Sequence, residues 1–313
     1  MNFQQLRIIH ETVRCNYNLT EVGNALFTSQ SGVSKHIKDL EDELGIELFV
    51  RKGKRLLGLT PPGKELLEIV ERMLLDAKNI KHLAEQFSQS DKGQLTIATT
   101  HTQARYALPR VVSQFKKAFP KVHLALYQGS PNEIAEMLKD GPADIGIATE
   151  MLNLLPELVA FPYYSWHHAV IVPKGHALEK KRNIGLEDLV QYPIVTYHEG
   201  FTGRKNLDDA FLKAGLNPDI IMSALDADVI KTYVELGLGI GIIASMAYQK
   251  ERDTKLTLLK SGHLFEDNTT WIAIRRGHYL RGYAYRFIEY CSSELDEVRI
   301  KQALNPQVES EIE

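Results

Sequence analysis

Cysteine is nearly absent: Cys15 and Cys291 are the only two in 313 residues, far apart and in no CxxC arrangement. That scarcity argues against a disulfide scaffold and a thiolate metal site, and it fits a reducing compartment. No apolar run approaches the roughly 20 residues that span a bilayer, and no basic segment followed by an apolar one opens the chain. A soluble cytoplasmic protein without a membrane partner is expected. An excess of either charge is missing as well, with 37 Lys and Arg against 40 Asp and Glu and a formal net charge of -3. A generally basic protein is excluded, so any affinity for nucleic acid has to come from a local patch. Nor does the chain carry a GxxxxGK[ST] phosphate loop, an HExxH zinc site, a GxSxG elbow or a GxGxxG fingerprint in its proper context. No catalytic residue, cofactor or metal is expected.

What is present begins with TSQSGVSKHIKDLEDELGIELF from Thr28, where small polar residues precede an amphipathic helix. At about 100° per residue Ile37, Leu40 and Leu44 fall near Val33, while Ser31, Ser34, Lys35 and Lys38 lie on the other side. Acids crowd the C-terminal half, so the N-terminal half offers hydroxyl, amide and ammonium donors. A helix N-terminus of that kind suits phosphates and base edges in a major groove. Phe3, Leu6 and Val13 mark a first helix, and Val22, Ala25 and Leu26 mark a second opened by Asn18 or Thr20. Only a tight turn around Phe27 to Gln30 fits before the third, which is helix-turn-helix spacing. ELFVRKGKRLLGLT then reads as a hairpin with Gly53 at its tip, a basic wing of Arg51, Lys52, Lys54 and Arg55.

Thr60 and Pro61 start another helix. Leu66, Val70, Met73, Ala77, Ile80, Ala84 and Phe87 alternate steps of four and three, a heptad seam suited to joining two helices, up to the polar break SQSDKGQ. From Leu95 the pattern becomes α/β: LTIATT, VHLALY, ADIGIAT, AVIVP, PIVTY and IGIIAS read as strands of parallel sheets. It breaks near Pro162 to Trp166 and returns near Thr269 to Ile274, so two lobes joined by two crossings are expected. The boundaries are a winged helix-turn-helix over 1–60, a linker helix over 61–92 and an effector domain over 93–313. Within the last, one lobe takes about 93–162 and 268–303 and the other about 163–267. The tail from Asn305 is polar and acidic.

Within this region GLGIGIIAS reads as a tight connection into a strand, not a cofactor loop, and Asp226 and Asp228 read as helix caps in preference to magnesium ligands. His101 and the pair His167 and His168 read as structural. Thr99, Thr100, Thr102 and Gln103 follow the first strand, Thr149 follows ADIGIA and Thr202 follows PIVTY. Each alone would serve as a cap. Their repetition where strands end and helices begin makes donors for a small oxyanion, with Trp166 as a wall.

TSQSGVSKHIKDLEDELGIELFVRKGKRLLGLTPPGKELL resembles the winged helix-turn-helix and linker-helix start of LysR-type transcriptional regulators. IATTHTQARYALP, YQGSP, ADIGIATE, GFTGR and DADVIKTYVELGLGIGIIASM are similar to the CysB/Cbl branch, which controls cysteine biosynthesis and sulfur assimilation. Gly23 stands where that family usually has alanine, and Ser31 where it often has proline. The resemblance implies an effector domain of the periplasmic-binding-protein type and a homotetramer of paired dimers on double-stranded promoter DNA. It also implies a sulfur-linked effector such as sulfate, thiosulfate or an acetylserine, held by Thr100, Thr102, Gln103, Thr149, Trp166 and Thr202. Thr28, Ser29, Gln30, Ser31, Ser34, Lys35 and Lys38, with the four wing residues, are the expected DNA contacts, and contact with RNA polymerase is left open. A free-standing receptor would leave the N-terminal helices without purpose, and a sulfur-metabolite enzyme would need a nucleophile or cofactor that the chain does not offer.

Overall fold

A computed structural model describes residues 1–53, 55–88 and 92–304, with the side chains of Glu85, Gln86 and Ser88 outside the description. Contacts divide the chain into two compact units, 1–85 and 86–313.

In the first unit, α1 (Phe3–Arg14) opens with a capping box in which Asn2 and Gln5 exchange side-chain and backbone bonds. Its buried face is Leu6, Ile8 and Ile9; Phe3, expected inside, is half exposed because it lies in the first turn beyond the core's reach. The Asn18 side chain accepts the Thr20 and Glu21 N–H groups and so caps α2 (Leu19–Ala25). Val22 is fully buried, whereas Ala25 at the helix end is exposed. Gly23 is buried because the following turn crosses it closely: a Cβ there would lie 2.8 Å from the Thr28 carbonyl oxygen.

Ser29 caps α3 (Gln30–Leu44), its Oγ accepting the Gly32 N–H at 3.0 Å. Val33, Ile37 and Leu40 are buried as the periodicity predicts, but Leu44 is exposed where Gly45, in the left-handed region, ends the helix. Glu41 is buried instead. Its Oε1 accepts the Leu48 N–H at 2.8 Å, and its Oε2 accepts a 2.6 Å bond from Arg51. This carboxylate ties α3 to the hairpin of β1 (Phe49–Lys52) and β2 (Arg55–Leu59), which turns at Gly53 with φ of 63°. Lys54 lies outside the described residues.

The Thr60 hydroxyl accepts the Gly63 N–H at 3.1 Å at the start of α4 (Pro61–Ser88). Gly63 sits so close to the hairpin that a Cβ would be 2.1 Å from the Leu48 carbonyl oxygen. The expected seam divides along this helix. Leu66 packs against its own unit and Val70 is fully buried. Met73 and Ala77 are half-buried, Ala84 is exposed, and Ile80 and Phe87 are bare at 68% and 84% exposure.

The second unit holds two five-stranded sheets. Its elements run β3 (Gly93–Thr99), α5 (Pro109–Ala118), β4 (Val122–Gln128), α6 (Pro131–Asp140), β5 (Ile145–Ala148), β6 (Leu158–Trp166) and β7 (His168–Pro173). Next come α7 (Leu186–Leu189), β8 (Ile194–Tyr197), α8 (Arg204–Lys213), β9 (Ile220–Ala224), α9 (Ala227–Glu235) and β10 (Ile240–Ala244). The chain closes with β11 (Leu256–Leu258), β12 (Asn268–Arg275), α10 (Gly282–Cys291) and α11 (Glu297–Leu304). The tail from Asn305 lies outside the described residues.

The first sheet is ordered β4-β3-β5-β12-β6 and the second β11-β7-β10-β8-β9. Each is mixed, not parallel throughout as the alternation suggests. Three strands pair in parallel in each, whereas the strand that enters from a crossing, β12 in one and β7 in the other, runs against them and pairs antiparallel with both of its neighbours. The physical reason is the crossing itself: a chain that enters one sheet straight from the other arrives without a helix to turn it round. Leu95 and Ile97 face Phe115 of α5 and Phe287 of α10, while Ala98 faces Ile134 and Leu138 of α6, so helices cover both sides of the first sheet. The second is covered by Phe211 of α8 on one side and Ile230 and Val234 of α9 on the other. Among the described residues no helix is long and apolar enough to cross a membrane.

Replacing Glu41 by Ala leaves a buried Leu48 N–H and the Arg51 guanidinium without their acceptor. We expect a loss of about 2–4 kcal/mol, read by denaturant unfolding of the full chain, and Glu41→Gln should recover part of it through the Leu48 bond.

Candidate functional site

The first unit presents a contiguous polar surface at the start of α3 and along the hairpin. Ser29, Gln30, Ser31, Lys35, Lys38, Lys52 and Arg55 are exposed, with Thr28 and Ser34 partly so. The Ser29 and Ser31 hydroxyls lie 3.0 Å apart, so the capping residue also orients its neighbour. Arg51 is committed to Glu41 at 2.6 Å, which makes it a strut between wing and recognition helix. The sequence pattern missed this pairing because it counts Glu41 with the solvated acids of the helix.

In the second unit the six expected effector residues lie around the junction of the two sheets. After β3 the chain makes a single π turn, Gln103–Ala107, of the wide kind often found at functional sites. It brings Thr100, Thr102 and Gln103 inward, at 5%, 1% and 1% exposure. Gln103 Nε2 donates to the Thr270 hydroxyl at 3.2 Å, and its Oε1 accepts from the Tyr164 phenol at 2.5 Å. Trp166 Nε1 donates to the same Thr270 oxygen at 3.1 Å, and Thr149 Oγ1 lies 3.4 Å from it. The Thr102 hydroxyl approaches the Tyr197 phenol but has no hydrogen-bond partner of ordinary geometry. Thr270, fully buried on β12, therefore gathers Gln103, Thr149 and Trp166 at one point.

Thr202 approaches from the other sheet. It has φ of 47°, a left-handed conformation that is unfavourable for a β-branched residue, and Gly203 follows at 68°. Asn206 Nδ2 donates to Asn268 Oδ1 at 2.9 Å, which turns the Asn268 amide group toward His168 Nδ1 at 3.4 Å. His168 Nε2 then carries the proton and donates to the Thr202 carbonyl at 3.0 Å. Burial pushes His168 down to about 4, so this imidazole is neutral near pH 7. A Cβ on Gly203 would strike Asn268 Oδ1 at 2.2 Å, which fixes glycine there.

The two sheets also meet through charge. The Tyr106 phenol donates to Asp228 at 2.8 Å, Arg105 Nε reaches the same carboxylate at 3.2 Å, and the buried Lys231 ammonium donates to the Tyr106 oxygen at 3.1 Å and pairs with Asp253. Asp226 caps α9 through the Val229 N–H, as its sequence position predicts. His101, isolated in the sequence, here comes within 4.8 Å of Asp226 and Asp228. Both carboxylates already serve the cap and the Arg105 and Lys231 cations, so the cluster is a poor cation site.

Glu150 was not foreseen. The Gly203 N–H donates to its Oε1, the Thr202 N–H also faces it, and its Oε2 is buried without a partner. Burial outweighs these donors and pushes the carboxyl up to about 7. An acid directly after a strand reads as surface, and nothing local in the sequence reveals that the opposite sheet covers it.

Comparison with known proteins agrees with this architecture. Residues 3–64 match the bacterial regulatory helix-turn-helix protein, lysR family, and residues 88–296 match the LysR substrate binding domain. The HTH-type transcriptional regulator SsuR of Burkholderia cenocepacia is 58% identical over 308 residues, covering 98% of this chain and 100% of that one. The HTH-type transcriptional regulator cbl of Escherichia coli K12 is 53% identical over 313 residues, 100% of this chain and 99% of that one. The crystal structure of the cofactor-binding domain of the Cbl transcriptional regulator superposes with a TM-score of 0.66 at 49% identity, over 68% of this chain and 93% of that one. With both of its units matched and relatives aligned along its whole length, this chain belongs to the LysR family of helix-turn-helix transcriptional regulators.

Proposed function

We propose that this regulator controls genes of sulfur assimilation and cysteine biosynthesis in the cytoplasm, and that it responds to a small sulfur-linked anion held between its two sheets. Sulfate, thiosulfate and an acetylserine are the candidate effectors. The observation that carries the reading is the convergence of Gln103, Thr149 and Trp166 on Thr270, opposite the left-handed turn at Thr202 and Gly203. The threonine hydroxyls there can help solvate an oxyanion in place of water, without a facing ammonium. Identity above half to regulators named SsuR and cbl supports the sulfur assignment. The bare Ile80 and Phe87 support pairing of two copies along α4, which would present two reading heads to a two-fold site, within the tetramer that the family resemblance implies.

Thr100→Val and Thr202→Val each remove one hydroxyl from the cradle, so effector affinity is expected to fall about ten- to hundredfold while operator binding persists. Titration calorimetry with sulfate, thiosulfate and acetylserine reads this, and unchanged affinity for all three would move the pocket elsewhere. On the DNA side, Lys35→Ala should weaken all sequences alike and flatten the salt dependence, whereas Gln30→Ala should erode the preference for operator over random DNA. Equal salt slopes for Lys35→Ala and the parent chain would take Lys35 out of the interface. Ile80→Lys would set two ammonium groups against each other across a two-fold axis. Sedimentation should then show a smaller assembly, and an undiminished oligomer would refute the pairing along α4.

A further inference from the structure

The same cleft contains an acidic group of the chain's own. Glu150 follows Thr149 directly, and its carboxyl group reaches across to the turn of the opposite sheet, where it takes the Gly203 and Thr202 N–H groups. These belong to the very turn that carries the effector residue Thr202, ahead of an α8 of 10 residues. One carboxyl oxygen is satisfied there and the other, Oε2, is buried with no partner. Among the described residues no cation is paired with this group. Arg204, the nearest base on α8, is spent on the Tyr197 carbonyl at 2.6 Å and on Asp208 at 2.7 Å. His168 of β7 is neutral and bonded to the Thr202 carbonyl. β12 contributes only the uncharged Asn268 and Thr270, the π turn contributes Gln103, and His198 and Glu199 in the loop before Thr202 are exposed.

We propose that Glu150 is an internal stand-in for the effector: its carboxyl group occupies the Thr202–Gly203 cradle of the cleft, and a doubly charged anion enters only when that carboxyl group has been neutralised. The reason is Coulombic. Two negative groups a few ångströms apart in a water-poor cleft raise each other's cost, so one of them takes up a proton. Once protonated, Glu150 ceases to repel and its lone oxygen gains an O–H. The atom now without a partner becomes a donor to the anion. Because the free carboxyl already sits at about 7, this exchange falls in the range where cells operate.

The sign follows from linkage. Binding favours the protonated form, so affinity for a dianion is highest below the carboxyl's pKa and declines as pH rises through it, by up to about tenfold per pH unit. The inference rests on the anion reading of the cleft, and the experiment separates the two. The full-length chain is titrated calorimetrically with sodium sulfate and sodium thiosulfate from about pH 6 to about pH 8.5, in pairs of buffers of unequal ionisation enthalpy that report protons taken up on binding. Above neutrality the wild-type chain should take up close to one proton per anion. Glu150→Gln, which keeps a carbonyl acceptor for the Gly203 N–H, should take up none, show a flat pH profile and bind at least about tenfold more tightly than wild type at the alkaline end. Wild-type binding without proton uptake would overturn the proposal and needs no variant to fold. Uptake that persists in Glu150→Gln, or weaker binding by that variant at every pH, would overturn it too. If Thr202→Val leaves anion affinity untouched, the anion reading itself fails; if it weakens binding while no proton is taken up, the role of Glu150 alone is lost.

Discussion

The Thr270 hydroxyl is the contact on which the cleft depends. A hydroxyl can accept two hydrogen bonds and donate one. Gln103 and Trp166 donate to it and use both acceptor positions, so its single proton is left for Thr149 at 3.4 Å. The chain of consequences is short: Gln103 cannot flip, because its carbonyl oxygen is held by Tyr164, and the indole edge of Trp166 is fixed against β12. Thr149, as acceptor of that bond, has its own O–H left to point elsewhere. One buried oxygen thus sets the orientation of three side chains drawn from widely separated parts of the sequence.

The opposing wall is organised by different means. Where the first sheet relies on a hydroxyl, the second relies on backbone strain. Thr202 is kept in an unfavourable conformation by the His168 bond to its carbonyl, by Asn268 packed on Gly203 and by the Glu150 carboxyl on the N–H side. Such strain persists only when several contacts over-determine it, and here two of them, Glu150 and Asn268, come from the other sheet. The Tyr106, Arg105 and Asp228 cluster spans the same gap. The junction thus combines polar bonds with the packing of Trp166, Tyr106 and Tyr164 against the core of the second sheet. A ligand can shift this equilibrium only through contacts it makes differently in its two arrangements, and the junction is where such differences arise.

Local chemistry was legible in the sequence and distant pairing was not. Asn18, Ser29, Thr60 and Asp226 cap helices as their positions predict, because capping needs only residues within one turn. The six mainly apolar segments became β3, β4, β5, β7, β8 and β10. The strands not foreseen as such, β6, β9 and β11, carry partly exposed patterns, and β9 alternates half-buried and exposed residues throughout. The reversed direction of β7 and β12 could not be read because direction depends on how the crossings enter a sheet. Thr270 pairs with Gln103 across 167 positions, and no periodicity carries information over that span. Glu41 and Glu150 escaped for a shared reason: a carboxylate is taken as solvated unless its partners are known, and both sets of partners come from elements that fold back over it. The heptad pattern of α4 mixed two environments, since Leu66 serves its own unit while Ile80 and Phe87 do not.

The contact of Gly63 with the Leu48 carbonyl has a mechanical meaning. With no room for even a methyl group between them, the start of α4 and the hairpin cannot slide past each other, and Glu41 fastens the hairpin to α3 in turn. The reading head and α4 then behave as one solid lever. Twenty-eight residues of helix extend about 42 Å, so tilting that lever by about 5° at its far end carries the head through about 4 Å. That distance is close to the roughly 3.4 Å rise of one base pair, so a few degrees of tilt displace α3 by about one base-pair step.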